Sequence, residues 1–212
     1  EGIRHAATDD EGVYLGQKVV DWYYETENRQ KGKRPSVTVS AAAFVPKPFT
    51  PFQWATMLNR EDYIGKANIV NHEMKAQLNH KSLKYNWHEA DLTVLEGVFA
   101  RGDRKTASVL LEAYKLGCLY DSWGEHFKYD LWLQAFENTG VDIGFYNLRQ
   151  RDLDEILPWD FIDIGVTKKF MKLEYQKALK ETTTPDCRTK CSGCGAAKLN
   201  GGVCDEIRQT VV

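Results

Sequence analysis

The sequence predicts a chain that begins as a mixed α/β unit, continues as a mainly helical region and ends in a small cysteine-rich tail. Three observations support this order. A helical pattern, a turn and a β-rich run follow one another near the start, and helical patterns dominate from Asp91 onward. Four of the five cysteines lie after residue 186. The predicted fold class is therefore α/β to mainly α.

The first predicted elements are a helix and a strand. Thr8 and Glu11 form a capping box ahead of "DEGVYLGQKVVDWYY", whose apolar residues recur at helical spacing. The basic turn "KGKRP" ends this helix. Ser36 to Val45, "SVTVSAAAFV", is rich in β-branched and small residues, which favours a strand packed on both faces. A helix followed by a buried strand is half of a parallel α/β unit.

A proline-rich loop follows the strand and carries the first candidate site. Pro46, Pro48 and Pro51 exclude a regular helix or strand here. The loop leaves the carboxyl end of the strand, where ligands bind in parallel sheets and barrels. Pro46, Lys47, Pro48 and Phe49 are therefore predicted to bind a cofactor. The alternative is a rigid linker whose aromatic residues cover the edge of the sheet.

The middle of the chain is predicted to be helical. "REDYIGKANIVNHEMKAQLNHK" has a helical pattern, "SLKYNWHE" is a short candidate strand, and four further helical patterns follow Asp91. Gly117 and Gly140 stand where a glycine caps a helix carboxyl end.

Charged residues concentrate in "NWHEADLTVLEGVFARGDRK" (His88, Glu89, Asp91, Glu96, Arg101, Asp103 and Arg104). Such a set can bind an anionic substrate or act as acid and base. A solvated, salt-bridged helix end is the favoured interpretation, because that is the usual role of charge runs. His126 and Asp130 are four residues apart and can share a helix face, although neighbouring aromatic residues favour packing over metal binding there.

Composition excludes some classes of protein. The net charge of −2 gives no general attraction to nucleic acid or acidic lipid. No apolar run is long enough to cross a bilayer, and the start of the chain shows no signal-peptide pattern. The prediction is a cytoplasmic protein without a membrane partner.

The cysteine tail is the strongest metal-binding signal. Cys187, Cys191 and Cys194 have the spacing C-x-x-x-C-x-x-C, and Cys204 follows after a flexible loop. In a chain without a secretory signal, this cluster favours metal ligation over disulfides. Four thiolates suit tetrahedral zinc or a 4Fe-4S cluster, and the spacing does not choose between them. The alternative is a set of unligated thiols in a disordered tail.

Long blocks of the chain resemble, in order, an uncharacterised radical S-adenosylmethionine (SAM) family. The resemblance covers roughly residues 11–195 and is carried by "VTVSAAAFVPKPFTPFQW", "WHEADLTVLEGVFARGDRK", "LGCLYDSWGEHFKYDLWLQAF", "RDLDEILPWDFIDIGVTKKFMKLEYQKAL" and "TPDCRTKCSGCG". Members of this family have an N-terminal cobalamin-binding-like domain, a radical SAM barrel, and a helical extension that ends in a cysteine-rich tail.

The resemblance implies that this chain corresponds to the C-terminal portion of such an iron–sulfur enzyme. Residues 1–58 would then be the last part of a partial (β/α) barrel, 59–181 the helical extension and 182–212 the metal-binding tail. In radical SAM enzymes most of the barrel follows the SAM-cleaving cysteines, but only 18 residues follow Cys194. These enzymes also usually have an aromatic residue directly before the third cysteine, where this chain has Gly193. The tail cysteines are therefore not expected to be the SAM-cleaving site. SAM, with or without cobalamin, is expected only with the N-terminal barrel and cobalamin-like domain, in cis or in trans. The fragment alone is not expected to cleave SAM.

A second hypothesis is a helical binding module with a zinc knuckle. Four basic residues near the cysteines, Lys177, Lys180, Arg188 and Lys190, are the setting in which a knuckle contacts RNA. A protein partner is the other candidate for such a module.

Overall fold

The computed structural model describes residues 10–27, 29 and 32–200. Contacts divide the chain into two compact units. The first unit contains the described residues up to Val45 together with Leu58–Glu96. The second contains Pro46–Met57 together with the described residues from Gly97 onward.

The described residues form a mostly helical α/β structure with seven α-helices and a two-stranded sheet. In chain order the elements are α1 (Asp10–Glu25), β1 (Val37–Ala41), α2 (Arg60–Ala76), β2 (Leu83–Trp87), α3 (Ala90–Ala100), α4 (Thr106–Leu116), α5 (Tyr129–Thr139), α6 (Ile143–Asn147) and α7 (Lys168–Ala178). The predicted fold class, α/β to mainly α, is confirmed at this level. The capping residue Thr8 lies outside the described residues.

The two strands of the first unit are parallel. Val37 pairs with Leu83 and Ala41 with Trp87, and α2 makes the connection between the strands. Alternate side chains of a strand point to opposite faces of the sheet, so Val37, Val39, Leu83 and Tyr85 share one face. These side chains pack with Val13 and Val20 of α1 and with Val70 and Met74 of α2. One face of the sheet is thus covered by two helices.

The opposite face of the sheet is polar and exposed. It carries Thr38 and Ser40 from β1 and Lys84 and Asn86 from β2, and all four are exposed. The prediction that the first strand is packed on both faces is therefore wrong for the described residues, because α1 and α2 lie on the apolar side of the sheet and the other side is exposed. The strand is also shorter than the predicted range Ser36 to Val45.

Aromatic residues form much of the core of the second unit. Trp54 is fully buried and its ring lies 6.0 Å from that of Tyr175. Phe99 packs on Trp132 of α5 at 5.5 Å between ring centroids. The indole of Trp54 therefore anchors the segment Pro46–Met57 to α7 of the same unit.

Glycines end two helices as the sequence predicts. Gly117 ends α4 at φ 91° and Gly140 ends α5 at φ 63°, the left-handed conformation that favours glycine. The short helix α6 was not predicted. Its signal is Asp142, whose carboxylate accepts a hydrogen bond from the backbone N–H of Gly144 at 2.8 Å.

None of the helices in the described part of the chain is both long enough and apolar enough to span a membrane.

Candidate functional site

The loop from Pro46 to Phe49 is irregular, as its prolines require. Pro46 is buried and Lys47 is exposed. The backbone N–H of Phe49 donates a hydrogen bond to Oε1 of Gln53 at 3.2 Å. Phe49 has a φ of 60°, which is uncommon for a residue with a side chain. The loop therefore holds Phe49 in a fixed and unusual backbone conformation.

Phe49 lines a cavity of about 420 Å³ that lies entirely within the second unit. The other lining residues come from the buried Gln53, from the segment after Pro158 and from the start of α7: Trp159, Asp160, Phe161, Ile162, Asp163, Ile164, Val166, Thr167, Lys168 and Met171. Of the four residues predicted to bind a cofactor, Pro46, Lys47, Pro48 and Phe49, only Phe49 is among them. The cavity is of a size that small-molecule ligands occupy.

Gln53 fixes the aromatic wall of this cavity. Its side chain is 2% exposed. Its Oε1 accepts a hydrogen bond from Nε1 of Trp159 at 2.6 Å, and its Nε2 lies 3.3 Å from the sulfur of Met171. A buried amide with partners on both its oxygen and its nitrogen holds a single orientation. No sequence pattern marks Gln53, since it is a lone glutamine in a loop.

The charged groups around the cavity have partners within the chain. Nζ of Lys168 forms an ion pair with the carboxylate of Asp160 and donates a hydrogen bond to the backbone oxygen of Glu155 at 2.7 Å. The carboxylate of Asp163 accepts a hydrogen bond from the backbone N–H of Gly165 at 2.8 Å. Thr167 caps the start of α7, and its hydroxyl accepts a hydrogen bond from the backbone N–H of Phe170. The remaining lining is aromatic and aliphatic, which suits a flat, largely apolar ligand.

The cysteine tail is attached beside this cavity. The backbone oxygen of Cys194 accepts a hydrogen bond from the N–H of Thr167 at 2.9 Å. Gly195 has a φ of 105°, and a Cβ at this position would lie 2.9 Å from the backbone oxygen of Gly165. Only glycine permits this close approach of two backbone segments. Residues 194 and 195 are therefore packed against the segment that leads into α7.

The thiols themselves are accessible. Cys187 and Cys191 are exposed and Cys194 is half-buried. Within the described ranges, no group of three or more His, Cys, Asp or Glu side chains is close enough to hold a metal ion. Cys204 lies outside the described residues. Thiolates suit zinc or iron, but the three described cysteines do not converge on one point, so the metal site stays a prediction.

Cys118 differs from the tail cysteines. It is 7% exposed. Burial and the nearby Asp121 raise the pKa of its thiol. It behaves as a small buried apolar residue.

The charged residues predicted as a cluster around α3, from His88 to Arg104, make separate contacts and do not form one site. Asp91 forms an ion pair with Arg60, and the backbone oxygen of His88 accepts a hydrogen bond from the hydroxyl of Tyr63 at 3.0 Å. Burial raises the pKa of Tyr63. Asp103 accepts a hydrogen bond from the hydroxyl of Tyr146 at 2.9 Å.

His126 does not share a helix face with Asp130. Helix α5 begins at Tyr129, so His126 precedes it. The imidazole Nε2 of His126 lies 3.9 Å from a carboxylate oxygen of Glu125, and both side chains are largely exposed. The prediction that His126 and Asp130 can share a helix face is wrong, because α5 starts three residues after His126.

Arg101 is the largest departure from the expected solvated helix end. It follows directly after α3, and its side chain is 0% exposed. Arg104, three residues later, is exposed. The sequence places both in one charge run, and only the packing distinguishes them.

No protein-family model matches the chain, and no curated protein or solved structure matches it either. The resemblance to radical SAM proteins therefore remains a prediction from sequence blocks.

Proposed function

We propose that this chain contributes the C-terminal part of a radical SAM barrel and its helical extension, and that it acts on a substrate together with a SAM-cleaving portion in cis or in trans. The observation that supports this most directly is the parallel pair β1 and β2, with helices on one face and exposed polar residues on the other.

A parallel pair of this kind fits a position inside a larger sheet. Parallel strands occur almost only in sheets whose two faces are covered, or in closed or partial barrels. Each strand here has a neighbour on one side only among the residues described. Both outer edges are thus open to further strands, which an isolated protein would have to protect.

The polar face is the side of the sheet that would point into the barrel, because the helices lie on the other side. In (β/α) barrels the helices surround the outside and ligands bind at the carboxyl end of the strands. Lys84 lies opposite Thr38 and Asn86 opposite Ser40 in the sheet register. In the proposed enzyme Lys84, Asn86 and Ser40 face the bound ligand, with Lys84 supplying a positive charge for a carboxylate or phosphate group.

The tail is proposed to hold an iron–sulfur cluster or a zinc ion through Cys187, Cys191, Cys194 and Cys204. When bound, such a group would serve as an auxiliary redox centre or as a structural clamp. Small metal sites commonly form only when the metal binds, because ligand convergence and folding are coupled. The hydrogen bond between Thr167 and Cys194 gives the tail a fixed starting point for that convergence.

The metal content of the protein tests this proposal. After anaerobic purification and reconstitution, we expect about four irons per chain with broad visible absorption for a cluster, or one colourless zinc. Cys191→Ser removes one thiolate and is expected to lose most of the metal. The neighbouring Ser192→Ala is the matched control and should retain it. Full metal content in Cys191→Ser would rule out this ligand assignment.

The alternative, a zinc knuckle that contacts RNA, has less support from the contacts. Nζ of Lys177 donates hydrogen bonds to Glu174 and Thr184, and Arg188 forms an ion pair with Asp186. Two of the four basic residues near the cysteines are thus already paired within the chain. One zinc per chain together with salt-dependent RNA binding would favour the knuckle.

A further inference from the structure

The second unit contains a buried arginine whose charge is not balanced. Arg101 is 0% exposed. Its Nε, Nη1 and Nη2 meet no hydrogen-bond acceptor within the described part of the chain. Nearly all buried polar groups in folded proteins have a partner, and a buried charge without one costs several kcal/mol. The arrangement needs an explanation.

Two more guanidinium groups lie near Arg101. Arg151 is 3% exposed, and its Nη2 donates a hydrogen bond to the backbone oxygen of Arg101 at 3.3 Å. Arg149 forms a two-point ion pair with Glu155, at 2.7 Å for each bond. The Nε atoms of Arg149 and Arg151 are also buried without an acceptor among the described residues. Five buried guanidinium nitrogens in these three side chains therefore lack acceptors.

The nearby carboxylates do not supply the missing charge. Glu155 is already paired with Arg149, and Asp103 accepts hydrogen bonds from the hydroxyl of Tyr146 and from the backbone N–H of Lys105. Three guanidinium groups thus stand near two carboxylates, and neither carboxylate is hydrogen-bonded to Arg101. Burial and the charges of Arg151 and Arg149 lower the pKa of Arg101 to about 9, so it is still charged at neutral pH.

We propose that Arg101 and Arg151 form an internal binding site for a small oxyanion, a carboxylate or a phosphate group. The planar fork of a guanidinium matches two oxygens of either group. An ordered water can accept hydrogen bonds but cannot neutralise the charge. This site is independent of the proposed radical SAM function, because it uses none of the residues of the polar sheet face or the tail.

The experiment measures the melting temperature of the full chain with added anion. The protein is prepared in an anion-poor buffer, and inorganic phosphate, acetate or sodium chloride is added at equal ionic strength. We expect the anion that fits the site, phosphate or acetate, to raise the melting temperature by several degrees when its concentration is about a hundred times its dissociation constant. The anion that acts at the lower concentration identifies the group.

Two variants separate specific binding from general salt effects. Phosphate stabilises many proteins by exclusion from their surface, and this part should persist in every variant. Arg101→Met keeps an apolar side chain of similar length and is expected to lose the stabilisation that comes from anion binding at the site. Arg104→Met removes an exposed charge and should keep that stabilisation. Circular dichroism confirms that each variant folds.

The proposal is supported if calorimetry also shows one anion bound per chain and none to Arg101→Met. The proposal would be overturned if phosphate and acetate raised the melting temperature of Arg101→Met as much as that of the unsubstituted chain. It would also be overturned if neither anion raised the melting temperature of the unsubstituted chain more than chloride does, which would indicate that water fills the site.

Discussion

Trp54→Ala is expected to lower the free energy of unfolding of the second unit by about 3–5 kcal/mol, the range for removing a large buried aromatic side chain. Trp54 is fully buried and packs on Tyr175, and its backbone oxygen accepts hydrogen bonds from Arg151 and Gln150. Truncation leaves a cavity between the loop and α7. Urea unfolding followed by circular dichroism measures the change.

Two control variants sharpen that measurement. Phe161 is 85% exposed, so Phe161→Ala should change the free energy of unfolding by no more than about 0.5 kcal/mol. Trp54→Phe should cost clearly less than Trp54→Ala, because the indole Nε1 has no acceptor among the described residues and its loss breaks no hydrogen bond. Equal losses for Trp54→Ala and Phe161→Ala would contradict the assigned core.

Arg101→Met is expected to raise the free energy of unfolding in anion-poor buffer by roughly 1–4 kcal/mol, the range found when buried charges are replaced by apolar residues. Most single substitutions destabilise a protein, so the sign of this effect is diagnostic. The reason is that the variant removes an unbalanced buried charge while keeping most of its apolar contacts. Chemical unfolding at pH 7.5 measures it.

The stabilisation by Arg101→Met is expected to depend on pH. The pKa of Arg101 is about 9 in the folded protein, well below the ordinary value of an arginine, so between these two values the unfolded chain binds more protons. The stability of the unsubstituted protein should therefore rise with pH above about 9, where Arg101 loses its proton only in the folded state. The advantage of Arg101→Met should be largest below pH 9 and smaller at pH 10.5. A constant advantage would show that the effect is packing and not charge.

Local signals predicted most of the secondary structure. The helical spacing of apolar residues predicted α1 to α5 and α7, and Gly117 and Gly140 stand at two of the helix ends. These signals act over three or four neighbouring residues, so they can be recognised in the sequence without tertiary structure. Helix α6 was not predicted because it is about one turn long and depends on the cap at Asp142.

Features that depend on contacts between distant segments were not predictable. Gln53 meets Trp159 and Met171, more than a hundred residues away. Arg101 and Arg104 look equivalent in the sequence, yet one is buried and the other exposed. The spacing of Cys187, Cys191 and Cys194 predicts a donor set but not whether a loop of this length converges without its metal.

The most direct test of the proposed function is 5′-deoxyadenosine formation by the native protein, isolated without oxygen from cells that express it and reduced in the presence of SAM. We expect the native species containing this chain to form 5′-deoxyadenosine. We expect Lys84→Ala on the polar sheet face to lower the substrate-dependent formation of 5′-deoxyadenosine about tenfold, because the variant loses one charge-assisted contact with the substrate. Lys75→Ala, an exposed lysine on α2, should leave the rate unchanged. No 5′-deoxyadenosine from a native species that contains this chain and has intact metal content would contradict the account.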